Sequence, residues 1–429
     1  MNRLFLPSAI FVSFLFGLHS LPVTLGNGPI VSDTGTSRPI LFNLGPTARP
    51  WNFTAESIEH IDGLPFSGFT YNIPATWTVM NSQEFGPWTE QDLHGQLEDL
   101  NFSFDNVKEN WVSVAVRRNG LFITEGDFFD DVSWQQTIEQ FRLLARVASS
   151  PRYQAVGIFF DNEEYFEQVW NYPDDVANSD LYTLQQYQEK SKQRGREIFQ
   201  AIVSEWPSAK ILFAHGPYLS TPEERPFEVS MNQVAGAGDY ELLAPFFYGM
   251  AELADDQQVI DGGEVYQLRS ELQFQINNDW RSTEISQSVV VPDSLRQNYA
   301  ERIGVSHGLY NLTWPTVDDQ MSPTIMRTTL NNALRSSRQN VWIFTEASET
   351  WLSPGGFPIE WRTNIENGFN DAIVLRGDAN LDGVVNLLDV AAFVDTISSG
   401  IYLPEADVNN DSSIDLFDVA PFVALLSGS

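Results

Sequence analysis

Gly157-Ile158-Phe159-Phe160-Asp161-Asn162-Glu163-Glu164-Tyr165 is an apolar run that turns acidic within one residue. Such a segment reads as a buried strand of a parallel sheet, with its C-terminal end opening on a site. Asp161 and Glu163 stand two apart, and so on one side of an extended chain. Working outward, short apolar runs alternate with helix-like patterns from Trp51 to Leu375. Strands are predicted at Phe69 to Ile73, Val112 to Val116, Ala155 to Asp161, Ile211 to His215, Val259 to Asp261, Ile303 to His307, Val341 to Thr345 and Ala372 to Leu375. Helices are predicted at Trp134 to Ala148, Leu181 to Glu205 and Thr324 to Arg338. Eight such alternations predict an α/β fold, a (β/α)8 TIM-like barrel over residues 51–375, rather than an open doubly wound sheet. The last predicted strand leads straight into the next module without a closing helix.

Composition narrows the chemistry. With 57 acidic and 24 basic side chains the formal charge is −33, which leaves no cationic surface for nucleic acid. Cysteine is absent, which excludes disulfides, thiolate metal sites and cysteine nucleophiles. The five histidines, at 19, 60, 94, 215 and 307, are too scattered to suggest a three-histidine metal centre. At the start, Arg3, the apolar run Leu4 to Leu18 and the small residues of Thr24-Leu25-Gly26 read as an export signal over residues 1–26. The mature chain is then expected to begin near Asn27, with residues 27–50 as an N-terminal segment and a secreted or cell-surface location. No later stretch is apolar enough to span a bilayer.

The last module spans residues 376–429, and from Gly377 onward its composition changes: nine Asp or Glu, no Lys or Arg, and a repeat at an offset of 29 residues. Oxygen-bearing side chains recur at loop positions 1, 3, 5, 9 and 12: Asp378, Asn380, Asp382, Asn386 and Asp389, then Asp407, Asn409, Asp411, Asp415 and Asp418. The position-7 carbonyls belong to Val384 and Ser413. This spacing wraps a loop around a hard cation that takes six to eight oxygens, so two structural Ca2+ ions are expected. An apolar helix follows each loop, at Val390-Ala391-Ala392-Phe393-Val394 and Val419-Ala420-Pro421-Phe422-Val423.

The two loops resemble the duplicated calcium loops of type I dockerin domains. The resemblance implies a small all-α module of paired loop-helix units that docks on a cohesin-type protein. Position 6 of the second loop is Ser412, where the turn favours glycine, and position 12 is Asp in both copies, as in dockerins. The residues after each loop depart from the usual cohesin-binding pairings, so a calcium-stiffened sorting or packing role stays open beside docking.

In the barrel, three predicted strand ends carry carboxylates: Asp161 with Glu163, Asp261 with Glu264, and Glu346 in Val341-Trp342-Ile343-Phe344-Thr345-Glu346. Carboxylates converging in an aromatic mouth are what glycoside hydrolysis requires, one to protonate the leaving oxygen and one to attack or to activate water. Glu163 is expected as acid/base and Glu346 as nucleophile or base, with Asp161 and Glu264 in support. Tyr165, His215, Tyr218, Tyr266, His307, Tyr310, Trp342 and Trp351 are expected to bind substrate, since sugar CH faces pack on aromatic rings. Each such residue also has a plainer reading, as helix cap, core histidine or packing aromatic. Catalysis is expected to need no cofactor. There is no Gly-x-Ser-x-Gly elbow and no paired-histidine motif to suggest an esterase or metallohydrolase.

Leu64-Pro65-Phe66-Ser67-Gly68, Phe160-Asp161-Asn162-Glu163-Glu164-Tyr165, Asp261-Gly262-Gly263-Glu264 and the Val341 to Glu346 run together resemble the barrels of secreted bacterial glycoside-hydrolase-like proteins. That resemblance implies a polysaccharide or oligosaccharide substrate. In such barrels the acid/base follows strand four and the nucleophile strand seven. The predicted strands put Glu163 after the third and Glu346 after the seventh, so either a strand is missing or the acid lies elsewhere. The rival expectation is a non-catalytic carbohydrate-binding or structural component of an extracellular assembly.

Overall fold

The computed structural model describes residues 39–42, 53–71, 89–91, 103–115, 127–163, 169–220, 240–312, 321–337, 339–345, 351–373, 376–380, 385–399, 403–409 and 413–427. Contacts divide the chain between Arg376 and Gly377 into two compact units.

The larger unit holds a sheet of nine segments: β1 (Ile40–Phe42), β2 (Gly68–Tyr71), β3 (Asn110–Ala115), β4 (Ala155–Asp161), β5 (Lys210–Phe213), β6 (Val259–Asp261), β7 (Ile303–Val305), β8 (His307–Tyr310) and β9 (Val341–Phe344). All pairings are parallel, in the order β7-β6-β5-β4-β3-β2-β1-β9-β8. Only Ser306 separates β7 from β8, so the two edges of the sheet are one continuous stretch of chain and the ring closes. The Ser306 amide donates to Asp261 O at 2.8 Å and that of Gly308 to Gly263 O at 2.8 Å, which carries β6 along both halves. The architecture is therefore a (β/α)8-type barrel, with β7 and β8 sharing the seventh strand position.

Two predicted strands need correction. The barrel starts at Ile40–Phe42, which pairs with both β2 and β9 and was not among the predicted strands. Ala372 and Ile373, predicted as strand, end the helix Ile359–Ile373. Trp361, Ile365 and Gly368 of that helix are buried at helical spacing, so the short apolar run at its end continues a helix face. One strand gained at the start and one lost at the end leave the count at eight and move every intermediate strand up by one. Ala155–Asp161 becomes the fourth.

Alternation along the strands builds two layers. Phe42, Trp111, Phe159, Leu212, Ile260, Tyr310 and Trp342 fill the barrel interior, while Leu41, Phe69, Val112, Phe160, Phe213, Val259 and Ile343 face the helices. Those helices start where side chains cap their free amides. Thr183 and Gln186 form a capping box at the start of Leu184–Glu205, and Ser270 and Gln273 form another at the start of Glu271–Ser282. Gly308 has no side chain because a Cβ there would lie 2.3 Å from the ring of Trp342. Replacing Gly308 with Ala is expected to destabilise the barrel by about 1–3 kcal/mol, through displacement of a buried indole. The check is a lower urea midpoint at unchanged slope.

The smaller unit, described by itself, is two helices, Asp389–Ser399 and Val419–Ser427, packed through stacked Phe393 and Phe422 rings 4.0 Å apart. Among the described residues its core is Ala379, Phe393, Ala406 and Phe422, with a rim of partly buried apolar residues. Among the described residues no helix is long and apolar enough to cross a membrane.

Candidate active site

The ends of β4, β5 and β6 are adjacent in the ring, so side chains just beyond them converge. Asn162, directly after β4, clamps the first two ends together. Its amide nitrogen donates to His215 O at 2.9 Å, and its oxygen accepts from the His215 amide at 2.9 Å. Trp170 fixes the Asn162 carbonyl from the other side, at 3.2 Å. This clamp presents His215, fully buried, to Glu163 and Glu264: its Nε2 lies 3.3 Å from Glu163 Oε1 and 2.9 Å from Glu264 Oε2. Nδ1 is held by the Tyr218 hydroxyl at 2.9 Å.

Glu264 reaches the cluster through a turn at Gly262-Gly263. Gly263 has φ +59°, and a Cβ there would strike the Arg281 guanidinium at 2.0 Å, so both the backbone and the space require glycine. Asp161 lies beneath the cluster, 1% exposed. One of its oxygens accepts from the Glu163 amide at 3.3 Å, and Oδ2 has no hydrogen-bond partner among the described residues.

Burial, followed by the charges of Glu163 and Glu264, pushes the Asp161 carboxyl well above the usual carboxylate range. Glu264 is raised as well, first by burial and then by Glu163, while His215 and a hydrogen bond from Tyr266 pull it back. Burial alone lowers His215. Tyr218, Glu264 and Glu163 outweigh it and hold the imidazole well above its ordinary value. The cluster thus sets two carboxyl groups raised by burial beside an imidazole raised by its neighbours.

Asp261 is not part of it. Arg281, 1% exposed, grips both of its carboxylate oxygens, with Nε to Oδ2 at 2.9 Å and NH2 to Oδ1 at 2.5 Å. The same guanidinium donates to Ser306 O at 2.8 Å and lies 5.5 Å from the Tyr218 ring. It therefore ties the ends of β6 and β7 behind the site. Removing one partner of a buried ion pair leaves the other charge uncompensated. Arg281→Met is expected to cost about 3–5 kcal/mol, read as a drop in the urea midpoint followed by tryptophan fluorescence.

Other candidates fall in different places. Tyr266 and Tyr310 stack at 4.9 Å and Tyr310 and Phe344 at 5.2 Å, within the interior aromatic cluster of the barrel. Trp342 is buried in the barrel interior, its Nε1 donating to Gly262 O at 2.9 Å, so it packs below the mouth. His307 is buried in the helix-facing layer, 5.1 Å from the Phe274 ring and beside Arg281, and burial followed by the Arg281 charge pushes it well below its ordinary value. Trp351 is buried against Phe357 and Trp361. The structure does not bring these three into the cluster. Tyr165 and Glu346 lie outside the described residues, as do Asp382, Val384 and Asp411. The sequence reading missed Asn162 and Arg281. Asn162 sits between the two carboxylates that reading singled out, and that position was the available signal.

In the smaller unit the two loops repeat each other bond for bond. Asp389 accepts from the amides of Asn380 at 3.0 Å and Asn386 at 2.7 Å, while Asp418 accepts from those of Asn409 at 3.0 Å and Asp415 at 2.9 Å. Asp378, Asp389, Asp407 and Asp418 are buried in a segment that contains no Lys or Arg. That donor set fits calcium: hard oxygens around a loop whose buried charge has no basic residue of its own segment to balance it. Residues 376–422 match the dockerin type I domain family. The dockerin loops thus bind calcium as that family does.

Among curated proteins no sequence matches this chain. Similar solved structures include a GH5-4 broad specificity endoglucanase from an uncultured bacterium (9% identity, 79% of this chain and 95% of the other, TM-score 0.44). Others are a GH5 family lichenase from Caldicellulosiruptor sp. F32 (9%, 74% and 84%, TM-score 0.40) and the exo-beta-1,4-mannosidase Op5Man5 from Opitutaceae bacterium strain TAV5 (12%, 78% and 59%, TM-score 0.42). These likenesses assign no chemistry to the site.

Proposed function

We propose that the barrel is a glycoside hydrolase acting on a polysaccharide, with Glu163 and Glu264 as its paired carboxylates. The observation that carries this reading is their convergence: ligand atoms of Glu163, His215 and Glu264 all lie within 4.8 Å of one another at the C-terminal mouth of the barrel. Carboxyl groups about 5 Å apart suit a retaining mechanism, in which one attacks the anomeric carbon and the other protonates the leaving oxygen. Glu264, more buried at 11% side-chain exposure and raised in pKa by that burial, suits the role of acid. Glu163, at 23%, faces the mouth as nucleophile or base. This differs from the roles expected from sequence, where Glu163 was acid/base, Glu346 nucleophile or base and Glu264 a supporting carboxylate. Glu346 remains a third candidate beyond β9.

The dockerin module holds two calcium ions in this reading and attaches the enzyme to a cohesin-type partner, on an exported protein. Leu387, Leu388, Leu416 and Phe417, all exposed at equivalent places in the two loops, favour docking over internal packing. The test is release of reducing ends from a polysaccharide panel by the purified, calcium-replete chain. Turnover on at least one β- or α-linked glucan, mannan or xylan is expected. Glycan retention with no turnover across the panel overturns the hydrolase reading in favour of a binding component.

A further inference from the structure

The carboxyl cluster has the donor geometry of a cation site as well as that of an acid/base pair. Glu163, His215 and Glu264 come from three adjacent strand ends, with one donor atom from each within 4.8 Å of the others. His215 is oriented as ligating histidines are: Tyr218 occupies Nδ1, which leaves Nε2 facing both carboxylates. An independent observation lies beneath them. Asp161 is 99% buried, its Oδ2 has no partner among the described residues, and the charged groups acting on it are Glu163, Glu264 and His215. A buried acceptor left unsatisfied is costly unless something binds it. The Arg281 guanidinium, which could have neutralised the cluster, is committed to Asp261.

We propose that Glu163, His215 and Glu264, supported by Asp161, bind one divalent first-row transition cation, and that this cation competes with glycoside cleavage. One imidazole nitrogen among carboxylate oxygens suits ions from Mn2+ to Zn2+, whereas Ca2+ and Mg2+ prefer all-oxygen shells such as the dockerin loops. A bound cation occupies lone pairs of both Glu163 and Glu264, so neither carboxylate can serve the glycosidic bond. The competition rests on the hydrolase reading; the binding does not.

The experiment is titration of the full chain with Co2+ under saturating calcium, followed by visible d–d absorption. One equivalent with absorption of a nitrogen-containing shell is expected, displaceable by Zn2+. His215→Gln and Glu264→Gln should each weaken binding by about 100-fold or more, and Tyr218→Phe, which only releases Nδ1, by about 10-fold. Far-UV circular dichroism confirms that each variant is folded, and Glu264→Gln, which keeps the side-chain shape, serves if His215→Gln is not. No cobalt band, or a band unchanged in the folded variants, overturns the site. Cobalt binding in a protein that cleaves nothing on the panel removes the hydrolase reading and leaves the site standing. Zinc binding that leaves cleavage unaffected overturns the competition alone.

Discussion

Calcium removal with EGTA is expected to unfold residues 377–429 and leave the barrel intact. Among the described residues the segment's core is four small or aromatic residues, and so short a chain rarely holds itself by its core alone. Against that core stand the buried carboxylates Asp378, Asp389, Asp407 and Asp418, with no basic side chain anywhere in the segment. The hydrogen bonds that Asp389 and Asp418 accept from loop amides offset part of the cost of burying two of them. A bound cation neutralises the charge these carboxylates gather, so binding free energy is expected to be folding free energy here. The helices Asp389–Ser399 and Val419–Ser427 should therefore lose their circular dichroism signal and become the first sites of proteolysis. Asp389→Ala should reproduce much of the effect, since it removes the position-12 ligand and frees two amides at once. A segment that stays helical and protease-resistant in EGTA refutes the calcium dependence.

How far the sequence could be read differs between the two units for a physical reason. The dockerin loops are local: every ligand lies within twelve residues, so spacing alone is informative. The barrel is not. Ile40–Phe42 is three residues long, too short to display any period, and it becomes a strand only through pairing with Gly68–Phe69 on one side and Trp342–Phe344 on the other. Ala372–Ile373 shows the converse case, an apolar run whose helical state is set by the buried stripe upstream.

Within the site, Asp161, Glu163 and Glu264 could be singled out as candidates because several predicted strand ends carry carboxylates beside aromatic residues. What sequence could not show was depth. Trp342, Trp351 and His307 sit near predicted strand ends in number, but each side chain points into packed layers rather than the mouth. Arg281 was equally hidden. It lies in the helix Glu271–Ser282, and only the fold returns its guanidinium to Asp261. Asp261 ends β6 and is held by Arg281, while Glu264, three residues on, faces His215.

Glu163→Gln and Glu264→Gln are expected to lower kcat by about 10²–10⁴-fold each, or roughly 3–5.5 kcal/mol of lost transition-state stabilisation. Glutamine keeps the shape of the side chain and, through its oxygen, can still accept from His215 Nε2, so folding and substrate affinity should change little. The loss should therefore appear in kcat with KM nearly constant. Because the two carboxylates act on one bond, the double variant should be scarcely worse than the poorer single one. An aryl glycoside separates their roles. Its leaving group departs without protonation, so Glu264→Gln should recover most of its activity on that substrate if Glu264 is the acid. Glu163→Gln should not recover, since attack at the anomeric carbon is still required. Asp161→Asn should fall between wild type and these variants, as it alters the field on both glutamates without touching the sugar. Glu346→Gln completes the set. If it alone abolishes turnover while Glu163→Gln and Glu264→Gln remain active, the working pair lies across the mouth, and the Glu163–His215–Glu264 cluster is left with cation binding.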